Sequence, residues 1–217
     1  MKKIILSLVV ITSLLTGCKS EKSEKVNVKE EVKKVVKAGT ISMLKGVDVS
    51  KSILNWKGTK PGGSHDGTVA LKSGWIKIES GKLAQGQFVL DMTTIANEDM
   101  KGTKGAKNIE AHLKNADFFD VTAHPTSKFE ITKVEEVEGK LAVTGNLQIK
   151  NVTKSITIPA SVSIENGVTT FKSDTFNINR ADFNIKYKSK SFFSLEELKD
   201  KFIDDNIEMS FVVKTEV

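Results

Sequence analysis

Ser155 to Ile164 alternates without a break: Ile156, Ile158, Ala160, Val162 and Ile164 share one parity, and Ser155, Thr157, Pro159, Ser161 and Ser163 the other. Successive side chains of a strand point to opposite faces, so this stretch is a strand with one apolar and one wet face. Leu141, Val143, Gly145, Leu147 and Ile149 repeat the pattern, as do Ile207, Met209, Phe211 and Val213 against Glu208, Ser210, Val212 and Lys214. Within Gln85 to Met92, Phe88, Leu90 and Met92 share a face. Strands of this kind must bury their apolar face against a second sheet or close on themselves.

The punctuation between strands is equally readable. Ser52 to Gly58, Thr68 to Leu71 and Trp75 to Glu79 read as strands separated by glycines. Asn166-Gly167 is the dipeptide of a tight hairpin that turns back into a strand from Thr169 to Ile178. Pro159 removes a ladder donor and calls for an edge, a bulge or a strand end. From Asn108 to Ala116, Ile109, His112, Leu113 and Ala116 fall on one face of a helix. Phe118 and Phe119 follow between Asp117 and Asp120; past Pro125 a strand carries Phe129, Ile131 and Lys133 on alternate positions. A helix that delivers two phenylalanines onto a sheet reads as a lid. Ser194-Leu-Glu-Glu197 is a capping box that opens a second helix through about Phe202. About eight antiparallel strands and two short helices leave a sandwich or a closed barrel.

With 217 residues, 39% apolar and 28% charged, the chain has the makings of one globular domain. Its +6 balance includes Lys2 and Lys3 of a leader; without them 31 basic groups face 27 acidic ones, or +4. Lysines and glutamates are interspersed and Arg180 is the only arginine, so nucleic-acid binding has little support. The single cysteine rules out an intrachain disulfide framework and a cysteine-rich metal site. It closes Leu15-Thr16-Gly17-Cys18, after a charged start and the apolar run Ile4 to Leu15. That pattern resembles a bacterial lipobox, which implies removal of residues 1–17 and acylation of Cys18, tethering the protein to a membrane. Lys19 to Lys37, alternating Lys, Glu and Ser with scattered valines, reads as a solvated spacer, and 18–43 as the tether.

Four segments carry a wider likeness: His112-Leu-Lys-Asn-Ala-Asp-Phe118-Phe119-Asp120 with His124-Pro125-Thr126 and Phe129; Trp56-Lys-Gly with Gly62 to Gly67; Gly86 to Ile95; and Ile178 to Ile185. Together they resemble the YceI-like proteins, a family of lipocalin-like barrels that bind lipids or polyisoprenoids, over roughly 44–217. The resemblance implies an all-β, lipocalin-like antiparallel barrel of about eight strands with two short helices, holding a polyisoprenoid or other long-chain lipid. It favours the barrel over the sandwich.

Eleven of the fourteen aromatic residues are Phe, a lining that brings bulk without hydroxyls needing partners and suits a hydrocarbon chain. The matched segments and strand parity give as lining residues Trp56, Phe88, Leu90, Met92, Phe118, Phe119, Phe129, Ile131, Phe176, Ile178 and Phe183. His65, Asp91 and Arg180 are candidates for a ligand head group; turn-forming roles for the first two, and a brace on Asp182 or another carboxylate for the third, compete with that reading. The histidines and carboxylates lack the HExxH spacing of a zinc hydrolase, and no nucleophile elbow or phosphate loop appears. Met100 to Lys107, although basic and glycine-containing, reads as a surface loop. The sequence therefore predicts a lipid-anchored envelope protein facing the periplasm or the cell exterior, without cofactor, metal or catalysis. The alternatives are a solid-core interaction module acting through its loops and, behind it, an envelope hydrolase.

Overall fold

The computed structural model describes residues 24–25, 29–31 and 42–216; the leader and Cys18 lie outside them. Eight strands form the wall: β1 (Ile53–Lys60), β2 (Gly63–Glu79), β3 (Lys82–Asp91), β4 (Thr126–Val137), β5 (Lys140–Ile149), β6 (Val152–Glu165), β7 (Val168–Ser173) and β8 (Asn206–Lys214). Each pairs antiparallel with the next, and β8 returns to β1 from Ile207↔Gly58 to Val212↔Ile53. The sheet is therefore a closed barrel, and closure leaves no long unpaired edge.

Bulges decide which residues face inward, and here the structure departs from simple alternation. The glycine-punctuated stretch read as two strands is one seventeen-residue strand, β2, in which Lys72 is an extra residue between Leu71↔Leu90 and Ser73↔Val89. One inserted residue swaps the faces, so Val69 and Leu71 are buried before the bulge and Ile76 and Ile78 after it. Thr132 does the same in β4, between Ile131↔Gly145 and Lys133↔Thr144. Lys133 consequently points to solvent and Val134 packs on the core, contrary to the expected alternation.

Around Gly62 to Gly67 the chain turns at Lys60–Gly63, and His65 and Asp66 lie on β2. Pro159 stands inside β6 opposite Ala142, at the point where pairing with β7 runs out, and its carbonyl still accepts the Asp174 N–H. Asn166 and Gly167 both take positive φ, 49° and 82°, as the hairpin requires. The strand expected from Thr169 to Ile178 breaks after Ser173 and resumes as Phe176–Asn179, now paired with β8.

Helix α1 (Lys104–Lys114) begins four residues earlier than its apolar face announced, because Thr103 caps it by accepting from the Ala106 N–H at 3.1 Å. The loop assigned to Met100–Lys107 is thus half helix. In α2 (Leu195–Leu198) the capping box forms as read, yet the helix lasts one turn, since Lys199 takes φ 52° and stops it. The turns 60–63 and 149–152, the loop 92–125 with α1, and the crossing segment 174–205 gather at one end of the barrel, the mouth. Within the stretch read as a spacer, Glu24–Lys25 pairs in parallel with Phe176–Asn177, and Lys29 bridges Ser155 on β6.

Candidate functional site

Away from the mouth the lumen is filled. Phe88, Phe129, Phe171 and Phe211 are buried together, with Phe88 5.3 Å from Phe171 and 5.8 Å from Phe211, and Phe129 stacked 5.8 Å from Phe211. Gly145 makes room for this: a Cβ there would lie 2.5 Å from the Phe129 ring. Ile76, Ile78, Ile131, Val143 and Ile158 close the barrel behind the rings.

In front of Phe211 the lumen opens into a cavity of about 460 Å³. Leu54 and Trp56 of β1, Val69 of β2 and Leu90 of β3 form one wall; Leu147 and Ile149 of β5 face Phe176, Met209 and Phe211. These are inward positions at the mouth end of each strand, so alternation puts apolar atoms on every side. Trp56 lies over Gly67, where a Cβ would come within 2.7 Å of the indole, and donates from Nε1 to Thr68 O at 3.3 Å.

Two elements roof the cavity. Ile109, His112 and Leu113 of α1, with Phe118 and Phe119 after it, cover one side; Tyr187, Phe202 and Ile203 of the crossing segment cover the other. They meet in an aromatic contact: His112 is edge-on to Tyr187 at 4.6 Å and to Phe118 at 5.0 Å, and Phe118 is 5.3 Å from Tyr187. A polar latch holds α1 to the wall. The Asn97 N–H donates to Glu110 Oε1 on the helix at 2.9 Å, and its side-chain amide donates to Asp66 O and to Asp99.

Polar groups gather at the rim. His65 Nδ1 is 2.9 Å from Asp99 Oδ2, and Asp99 also accepts the Asp66 N–H at 3.1 Å. Partial burial works against the Asp99 carboxylate, yet the His65, Asp66 and Asn97 hydrogen bonds together hold its pKa below the ordinary value. Lys60, Lys188 and Lys201 border the same opening. Among the described residues no three of His, Cys, Asp or Glu come together to hold a metal ion.

The YceI-like domain profile matches residues 46–215. The chain belongs to the YceI-like family. Among curated relatives it is 31% identical over 84 residues to a UPF0312 protein of Pseudomonas aeruginosa, and 29% over 84 residues to protein YceI of Shigella flexneri. These alignments take in 36% of this chain in each case, and the chain spans 44% of the length of the relatives it matches. Among solved structures it is similar to Burkholderia cenocepacia BcnA, with TM-score 0.61 and 22% identity over 77% of this chain and 98% of that one. It is also similar to a domain of Saccharophagus degradans described as polyisoprenoid binding and implicated in plant cell wall breakdown, with TM-score 0.57 and 13% identity over 82% and 99%. At those identities the structures attest the shared barrel.

Within this YceI-like barrel Trp56, Leu90, Met92, Phe118, Phe119 and Phe176 reach the cavity wall. Phe88, Phe129, Ile131, Ile178 and Phe183 do not: each is at most 1% exposed and sits in the packed core. For Phe88, Phe129 and Ile131, depth along the barrel separates filling from wall; Ile178 and Phe183 belong to the crossing segment at the mouth and are buried there without lining the cavity. Asp91 ends β3 at the mouth but does not line the cavity. Its Oδ1 accepts from Thr93 N at 3.0 Å and Thr93 Oγ1 at 2.6 Å, capping the short turn Met92–Thr94. His65 does border the cavity.

Arg180 touches the cavity too, but its donors are engaged: Nε with Asp204 O at 3.0 Å, one terminal nitrogen with Ile185 O at 2.9 Å, the other with Ile203 O at 2.9 Å and 3.2 Å from Asp205 Oδ1. At 1% exposure it braces the crossing segment, and the carboxylate it meets is Asp205 rather than Asp182. Burial lowers its pKa, opposed by Asp205 and Asp204. Lining residues missed from sequence include Leu54, Val69, Leu147 and Ile149 at the ends of strands, with Met209 and Phe211 on β8, and the crossing-segment residues Tyr187 and Phe202. Strand parity offered the first six, once the mouth was located; the last two lie in a stretch without periodicity.

Proposed function

We propose that this protein is a non-enzymatic envelope lipoprotein whose barrel holds the end of a polyisoprenoid or similar long-chain lipid. The observation that carries the reading is the apolar cavity between Phe211 and the roof of Phe118 and Tyr187. Taking roughly 30 Å³ for a group the size of a water molecule, its volume of about 460 Å³ accepts on the order of fifteen carbon-sized groups, about three isoprene units. Each buried isoprene unit contributes about 3 to 4 kcal/mol at roughly 0.8 kcal/mol per methylene. Association and chain ordering cost about 4 to 15 kcal/mol. Three units therefore suffice for binding only in a preformed cavity, and a longer chain continues out through the mouth. Cys18, acylated after removal of the leader, holds the protein on a membrane facing the periplasm or the cell exterior. The filled half of the lumen sets the depth and fits the solid-core alternative, but the open half has no use in that alternative.

The test is calorimetric titration with a prenyl alcohol of three isoprene units. One-to-one binding with a negative heat-capacity change is expected, as burial of apolar surface requires. Leu147→Phe, which fills the cavity from its wall, should weaken binding at least tenfold while leaving the fold intact. A wild-type protein that shows no saturable binding overturns the reading.

A further inference from the structure

The mouth carries a surface that the cavity itself does not use. Phe192, Phe193 and Leu195 are 41%, 43% and 61% exposed and follow one another at the turn that opens α2. Phenylalanine pairs exposed to this extent cost solubility unless something covers them. Their surroundings are cationic in part. Between residues 186 and 201 lie five lysines against Glu196, Glu197 and Asp200, and Glu197 is turned back onto Ser194 as a cap. Lys186 sits 5.1 Å over the Phe192 ring and Lys190 4.4 Å over Phe202, which lines the cavity. Apolar rings with lysines alongside are the composition of a segment that lies in the interface of an anionic bilayer.

The chain that follows Cys18 also reaches this end of the barrel. Glu24 pairs with Phe176, on the strand that leads into the crossing segment, and Lys29 bridges the mouth half of β6. Glu24 lies only six positions after Cys18. Fully extended, six steps span about 20 Å at 3.3–3.6 Å each, so an acyl chain on Cys18 would start within that distance of Glu24.

We propose that Phe192, Phe193 and Leu195 dock on an anionic lipid surface and turn the cavity mouth toward the bilayer, so that a lipid tail passes from membrane to barrel without crossing water. This rests on the lipid-binding reading above. It differs from simple tethering, which would let the barrel tumble above the surface.

The acylated full-length mature protein, reconstituted in vesicles of phosphatidylethanolamine and phosphatidylglycerol, provides the test. Phe193→Trp should be quenched by brominated acyl chains well beyond the parent protein, whose tryptophans are Trp56 and Trp75. A Phe192→Ser, Phe193→Ser, Leu195→Ser variant should take up a fluorescent prenyl alcohol from those vesicles at least tenfold more slowly, with unchanged affinity for it in detergent. Quenching no greater than in the parent, or an unchanged uptake rate, overturns the proposal; a second copy of the chain covering the patch would give the first result together with a concentration-dependent dimer. Failure of the cavity reading shows itself separately, as absence of prenyl binding in detergent by the wild type.

Discussion

Gly145 illustrates how a residue with no side chain shapes the lumen. Phe129 lies across it, with ring atoms 2.5 and 2.6 Å from where a Cβ would be, and the Glu130 carbonyl closes the space at 2.7 Å. Gly145→Ala should therefore overpack the aromatic cluster and cost about 1 to 3 kcal/mol, read as a lowered urea midpoint; adding Phe129→Leu should restore part of it. A Gly145→Ala protein as stable as wild type would mean that the rings pack elsewhere. That Gly145 and Phe129 both face inward was legible from alternation alone. That one underlies the other was not, because their register depends on Thr132, whose extra place in β4 no local signal marks. Phe88, Phe129 and Ile131 share the inward face of lining residues but lie deeper, where they fill the lumen.

The crossing segment 174–205 is the element that makes the mouth, and it is held both by packing, with Phe176, Ile178, Phe183 and Ile185 buried in the core, and by hydrogen bonds. Arg180 bonds the carbonyls of Asp204, Ile185 and Ile203, and the Asp205 carboxylate accepts from Ser191 N and Oγ at 3.1 and 2.7 Å. Arg180→Leu removes one partner of a buried pair and orphans those carbonyls, a loss of about 3 to 5 kcal/mol. Hydrogen exchange should quicken first across residues 185–205 while β3 to β6 keep their protection. Arg180→Lys should not rescue it, since an ammonium cannot reach acceptors arrayed around a planar fork. Unchanged protection in the segment would refute the bracing role. Periodicity found the strands and the face of α1, but here it had nothing to read. The capping box predicted where α2 starts and not that Lys199 ends it after one turn.

The molecule as a whole is a closed barrel in two halves, one packed with phenylalanine and one enclosing a cavity beneath a roof of α1 and the crossing segment. Most of its strands, the Asn166-Gly167 hairpin and the approximate strand count followed from the sequence, because alternation and turn chemistry are local. The division of the lumen did not, because it depends on bulges, on glycines under rings and on a roof drawn from segments far apart in the chain. The most direct test is the electron density of crystals grown with a prenyl alcohol. Elongated density running from Phe211 past Met92 and Leu147 to Tyr187 is the predicted result. A lumen with Phe118 and Tyr187 collapsed onto Phe211, and no density between them, would contradict it.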